Sequence, residues 1–425
     1  MATWKAEVFQ NEYLSDGATD VHAIVTVSCA DSGQAGGAGG AGGAAEAIII
    51  DCSGSMGSPH AKIVAARKAA AVAISAIDDG TWFGVVAGMG LPQQIYPASG
   101  MVPADERTRA EASNAVTHLS ASGGTALGLW LSAARDLFAQ TPAQQRHAIL
   151  LTDGKNEGES TQALAAAVRA ATGVFQCDCR GVGADWDVNE LRGIATALLG
   201  SVDLIADPAG MAADFEAIIR TAMGRGIADA KLKVWAPQGA ELLFVRQVAP
   251  TIEELTDRRV AVSNLITEYP TGAWGDESRD YHVAVRVGAK PVGSEQLVAR
   301  VQIDVAGQVV AQGLVKALWS DDTALTTRIN PAVAHYTGQA ELAQVIQEGL
   351  AAKAAGDDAT ATFKLGRAAR LAAETGNEEA TGRLKKVVDI EDADTGTVRL
   401  KRDVSKLDEM ALDTSSTKTT RVRPS

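Results

Sequence analysis

The chain is short of most things that mark a common biochemical class. Four cysteines in 425 residues, Cys29, Cys52, Cys177 and Cys179, include no Cys-x-x-Cys pair and no histidine at zinc-finger spacing. That excludes a structural zinc site of the ordinary kind. Cys177 and Cys179 alternate along a strand pattern and read as two small core residues before they read as a redox pair. Basic charge is in deficit, with 39 Lys and Arg against 52 Asp and Glu and a formal net charge of -13. A phosphate backbone wants clustered cations, so nucleic acid is not expected as a partner and the acidity reads as solubility. No apolar run approaches the ~20 residues that a membrane helix needs. The opening "MATWKAEVFQNEYLSDG" has no basic region followed by an apolar core, which points to a soluble, cytoplasmic protein without membrane insertion. Two catalytic signatures are missing as well: no Gly-x-Ser-x-Gly elbow presents a nucleophile, and no Gly-Lys-Ser/Thr opens a helix onto a phosphate.

What the chain has is 46% hydrophobic residues and a length that exceeds one ordinary domain. Residues 1–31 read as strands, with "VHAIVTVSC" a β run. A Gly/Ala-rich linker follows at 32–45, then residues 46–224 alternate short apolar runs with helical periodicity. The strands "AIIID", "WFGVVAG", "HAILLTDG", "FQCDCRGVG" and "SVDLIAD", with "QQIYPA" as a sixth, are nearly continuous in apolar residues. Strands of that kind separated by helices predict a doubly wound α/β domain whose parallel sheet is covered on both faces. Ligands of such sheets sit beyond the carboxyl ends of the strands.

Residues 228–320 turn all-β and predict an antiparallel sandwich, which the strands before the Gly/Ala tract would complete, so that the α/β domain is inserted in it or joined to it. Residues 330–390 predict a helical hairpin or bundle, and 391–425 a flexible tail.

The chemistry concentrates in "AIIIDCSGSM", where Asp51, Ser53 and Ser55 alternate after a buried strand. One turn at the sheet edge can present all three, and a carboxylate with two hydroxyls makes a set of hard oxygen ligands suited to Mg²⁺ or Mn²⁺ and poor for zinc. Further oxygens follow other strands: Thr125 in "SASGGTALG" and Asp153 in "LLTDGKNEG". Singly, each serine or threonine would more often cap a helix or shape a turn. As five residues in register with the strand order, they predict a metal site.

In "DCSGS", "GGT" and "TDG" the chain resembles the von Willebrand factor A domains over residues 45 to 224. Their metal-ion-dependent adhesion site carries Asp-x-Ser-x-Ser, a distant Thr and a distant Asp. The resemblance implies that Ser53, Ser55 and Thr125 are direct ligands, that Asp51 and Asp153 act directly or through water, and that a partner's Asp or Glu completes the shell. It further implies a bacterial, actinobacterial-like member that is not an enzyme but a scaffold, linked to Ser/Thr kinases and forkhead-associated domains. Tail threonines Thr414, Thr417, Thr419 and Thr420 are compatible with phosphorylated contacts to such partners, although an ordinary polar tail is the favoured reading of that stretch. Two alternatives stand beside this reading. One is an accessory subunit of an AAA+ ATPase of the MoxR or chelatase kind. The other is a metal-dependent hydrolase with His60 or Lys155 as base.

Overall fold

A computed structural model describes residues 2–35, 43–419 and 421. The chain divides into two units, one built from residues 31–228 with 272–275, the other from 2–30, 229–271 and 276–425. Of the expected linker, residues 36–42 lie outside the described residues; Ser32–Ala35 is one helical turn and the next strand begins at Ala44.

The first unit is centred on the strand Ala44–Asp51, in which Ile48, Ile49 and Ile50 are fully buried. Each such side chain contributes about 1.5–3 kcal/mol of transfer free energy, which is why this apolar run occupies the middle of the sheet. Trp82–Gly88 pairs with it in parallel on one side and Gln145–Thr152 on the other, and Gln176–Val182 and Val202–Ile205 extend the second side. The sheet is not wholly parallel. Gln93–Tyr96, the "QQIYPA" strand, and Val102–Pro103 both pair antiparallel with Trp82–Gly88. Short connections allow that geometry, whereas a parallel neighbour needs a crossover.

Helices cover the sheet. Ala61–Ser75 and Met211–Met223 bury Ile63, Ala66, Ala70, Ile74, Phe215 and Ile219 in one core with Ile48 and Ile50. The chain leaves the central strand for one neighbour and later returns to the other, so strand order reverses there. A crevice outside the carboxyl ends of Ala44–Asp51 and Gln145–Thr152 is the topological consequence.

The second unit holds two antiparallel-rich sheets. The early strand Asp20–Ala30 lies between Thr3–Gln10 and Glu277–Arg286, and the short Tyr13–Leu14 pairs with the end of Gln308–Trp319. Residues far apart in sequence therefore share sheets. Helices Pro331–Ala354, Asp358–Glu374 and Glu378–Val387 follow, packed through Leu342, Ile346, Leu365 and Leu384.

The mobile tail expected from residue 391 is corrected by the structure. Val388–Asp392 and Thr397–Leu400 form a hairpin, and Lys406–Ser415 is a helix. Their apolar residues are few, but Val398 and Leu412 are buried in the core of the three preceding helices. Placement, rather than number of apolar residues, makes the segment ordered. Thr414 is buried in that helix, where its hydroxyl donates to the Met410 carbonyl. Thr419 donates to the Val248 carbonyl, Ile252 N–H donates to the Thr417 carbonyl, and Thr420 lies outside the described residues.

Arg421 pairs with buried Asp280 through Nε and Nη2 at 3.0 and 2.9 Å, and Asp280 also accepts from Thr26 at 2.6 Å and from Tyr336 at 2.5 Å. Asp280→Ala removes the acceptor shared by all three, with an expected cost of about 2–3 kcal/mol. Limited trypsin digestion followed by mass spectrometry should show faster cleavage after Lys418 and Arg421 than in the wild type.

Candidate metal centre

Asp51 ends the central strand, and Thr152 ends its neighbour with Asp153 next in the chain, so both aspartates arrive at the same sheet edge. Both carboxylates are fully buried. Asp51 is held from several sides: its Oδ1 accepts from Ser53 N–H at 2.7 Å, and its Oδ2 accepts from the Thr152 hydroxyl at 2.6 Å and from Asp153 N–H at 3.3 Å. Burial pushes the Asp51 carboxyl up, bonds from Ser53 and Thr152 pull it down, and the charge of Asp153 adds to the rise.

The hydroxyls converge on the second aspartate. Ser53 Oγ is 3.0 Å from Ser55 Oγ, and Ser55 Oγ donates to Asp153 Oδ1 at 2.6 Å. Thr125 Oγ1 reaches the same place, because a Cβ built on Gly154 would stand 3.1 Å from it and 3.7 Å from Ser55 Oγ. The structure thus gathers Asp51, Ser53, Ser55, Thr125 and Asp153 around one point of the sheet edge.

Neighbouring loops fix this arrangement. Cys52 N–H donates to the Gly88 carbonyl, while Ser122 and Gly54 N–H groups bind the Cys52 and Gly123 carbonyls at 2.6 and 3.0 Å. Cys52 itself points into the core, and burial pushes its thiol up to about 12. Trp130 Nε1 donates to the Met89 carbonyl at 2.6 Å, and a Cβ on Gly88 would lie 2.7 Å from its indole. Only glycine lets the strand end that close to the ring.

The ordinary alternative for these hydroxyls is capping, and the geometry assigns them no such duty. Ser53 precedes the short 3₁₀ helix Gly54–Gly57 without a side-chain cap bond. The helix Leu127–Phe138 is capped from elsewhere: Asn156 Oδ1 accepts from Leu127 N–H at 3.0 Å and the Glu159 carboxylate accepts from Gly128 N–H. Thr125 is thereby spared, and its carbonyl accepts from Gly158 N–H at 2.7 Å.

Sequence reasoning did not find Lys62, Thr152, Asn156 or Glu159. Lys62, on the first turn of Ala61–Ser75, places Nζ 2.7 Å from Asp153 Oδ2 and is itself buried. A lysine in a helical pattern carries no sign of such a partner, although its position seven residues after Ser55 was there to read. His60 and Lys155, the bases considered for hydrolysis, are exposed. Among the described residues no group of three or more His, Cys, Asp or Glu is placed to hold a metal. The candidate centre rests on its hydroxyls, and two carboxylates with three hydroxyls are a donor set for a hard cation.

A family model described as von Willebrand factor type A domain matches residues 47–203, and one described as von Willebrand factor type A C-terminal domain matches 370–416. A solved von Willebrand factor type A structure from Catenulispora acidiphila is 47% identical over 99% of this chain and 97% of that one, with a TM-score of 0.93. The chain belongs to the von Willebrand factor type A family. The ArnB paralog VWA2 from Sulfolobus acidocaldarius covers 98% of both chains at 15% identity with a TM-score of 0.57, a likeness of fold. No curated protein matches the chain. No helix among the described residues is long and apolar enough to cross a membrane.

The von Willebrand factor A sheet carries a second polar cluster at its opposite edge. His147 Nδ1 lies 2.9 Å from both Glu46 oxygens and Nε2 lies 2.9 Å from Asp178 Oδ2. Both ring nitrogens face carboxylates, an arrangement that favours the imidazolium, which can donate to each. Burial pulls His147 down, yet the Glu46 charge and the bonds to both carboxylates outweigh it and lift the ring to about 9. Burial pushes Glu46 up; Asp178 is held well below the usual carboxylate range because His147 and Arg180 overcome its desolvation. Near it, Cys177 and Cys179 are buried with sulfurs 4.0 Å apart, as core residues.

Proposed function

We propose that the chain is a metal-dependent protein-binding module, not an enzyme. Asp51, Ser53, Ser55, Thr125 and Asp153 would hold Mg²⁺ or Mn²⁺, and a partner's Asp or Glu would complete the coordination. The observation that carries this reading is the gathering of three hydroxyls, free of capping duty, at the buried pair Asp51 and Asp153. Neutral hydroxyls compensate a divalent ion less than carboxylates do, so the bound ion keeps an appetite for one more anion. A hydrolase would need a general base aimed at the ion. The group that reaches Asp153 beside the serines is the Lys62 ammonium, a donor.

The two sheets of the second unit, read as a β-sandwich, and the helices after them would position the partner. Kinase-linked and forkhead-associated-domain proteins are the partner class we favour, in the cytoplasm of the cell. Thr417 and Thr419 sit in the docked segment; phosphorylating buried Thr414 would first require opening its helix.

Asp51→Ala should weaken Mn²⁺ binding by more than ~100-fold, beyond what loss of an outer-shell partner costs. Affinity purification from lysate in Mg²⁺, in EDTA and with Asp51→Ala tests the rest. Partner retention that ignores both treatments would sink the proposal.

A further inference from the structure

Lys62 sits where a cation is poorly placed on general grounds. It occupies the first turn of Ala61–Ser75, where the helix dipole is positive and where the helix has no acidic residue. It is also only 8% exposed, which strips its ammonium of most hydration. The compensation is one bond: Nζ to Asp153 Oδ2 at 2.7 Å, on the carboxylate whose other oxygen accepts from Ser55. A buried ammonium of this kind persists only if it is paired.

From this geometry we infer that Lys62 is a resident counter-cation of the candidate metal centre, setting both its affinity and its appetite for a partner's carboxylate. The inference rests on the metal-binding reading above. Without a divalent ion, Lys62 balances one of the two buried carboxylates, so Asp51 and Asp153 remain in place rather than repelling one another. With a divalent ion, Lys62 is a like charge beside it. The ion binds less tightly than two aspartates alone would allow, and the loaded site carries a net positive charge. An incoming Asp or Glu removes that excess. The partner the site fits is therefore an acidic side chain rather than a neutral one, and its binding and the ion's binding strengthen one another.

Mn²⁺ titration followed by electron paramagnetic resonance, which reads the free aqueous ion, separates the outcomes in the full chain. Lys62→Met keeps the volume and removes the charge; Lys62→Arg keeps the charge. Lys62→Met is expected to bind Mn²⁺ at least tenfold tighter than the wild type and to melt lower without metal, with the loss restored by Mn²⁺. Lys62→Arg, which keeps the charge, should stay closer to the wild type than Lys62→Met does. In the wild type, acetate should tighten Mn²⁺ binding, and in Lys62→Met that gain should shrink.

Tight binding by Lys62→Met with little by the wild type also supports the inference. Equal or weaker binding by Lys62→Met, when the wild type binds, overturns it and leaves the metal site standing. Absence of binding in all three proteins overturns the metal reading and this inference with it.

Discussion

Asp153→Ala is expected to lower the unfolding free energy by about 3–5 kcal/mol, the usual cost of breaking a buried ion pair from one side. The alanine leaves the Lys62 ammonium buried with its carboxylate gone, and it takes the acceptor from Ser55. Asp153 is fully buried, so water does not replace it without opening the sheet edge. Urea denaturation at neutral pH gives the number. The second arm is the double variant Asp153→Ala with Lys62→Met, which removes both charges and should recover more than half of the loss. Single and double variants unfolding at the same urea concentration would show that the pair is not the cause. If the proposed metal site holds, added Mg²⁺ should leave Asp153→Ala where it is, because the variant would then lack one of the proposed ligands as well as a charge.

The second large effect is a loss of stability in alkali centred on His147. Its folded value of about 9 stands above the ordinary 6.5, so the ring binds its proton more tightly folded than unfolded. Stability from this source is fully present below about pH 6.5 and disappears as pH rises through about 9. A shift of that size corresponds to about 3 kcal/mol. Asp178 acts on the acid side: held low in the fold, it contributes above ordinary carboxylate values and its share is lost only as pH falls. His147→Gln should cost about 3 kcal/mol at pH 6.5, because the charged group that bonds Glu46 and Asp178 together is then lost. It should also flatten the urea midpoint between pH 7 and 9.5. A variant with the wild-type slope in that interval would refute the assignment.

These residues show what was legible in the chain and what was not. The apolar strands and their helical spacers announce the α/β unit, because burial on both faces leaves a continuous signal in the residues themselves. Asp51, Ser53 and Ser55 were readable because their spacing of two is the strand period continued into a turn. Thr125 and Asp153 were readable as the residues that follow strands or glycines at the same edge. Lys62 was not, since a helix pattern says nothing about what meets its first turn across space. The His147 cluster was hidden for the same reason: Glu46, His147 and Asp178 stand on three adjacent strands, and only strand order brings them together. The ordered segment after residue 391 was missed because a few apolar residues, Val398 and Leu412 among them, are enough when a ready core receives them. Arg421 looked like part of a polar end until Asp280 supplied a buried acceptor.

The pairing of Asp20–Ala30 with Glu277–Arg286 has a consequence in time. On the ribosome the early strand emerges before Glu277–Arg286 and must wait, through synthesis of the whole α/β stretch, for the neighbour that completes its hydrogen bonds. The α/β unit can close in that interval, for its central strand finds both neighbours by residue 152. Asp280 then waits again, until Arg421 is made. The α/β unit is finished before the unit that surrounds it in sequence, so an interrupted chain would display the early strand's unpaired edge to chaperones and proteases.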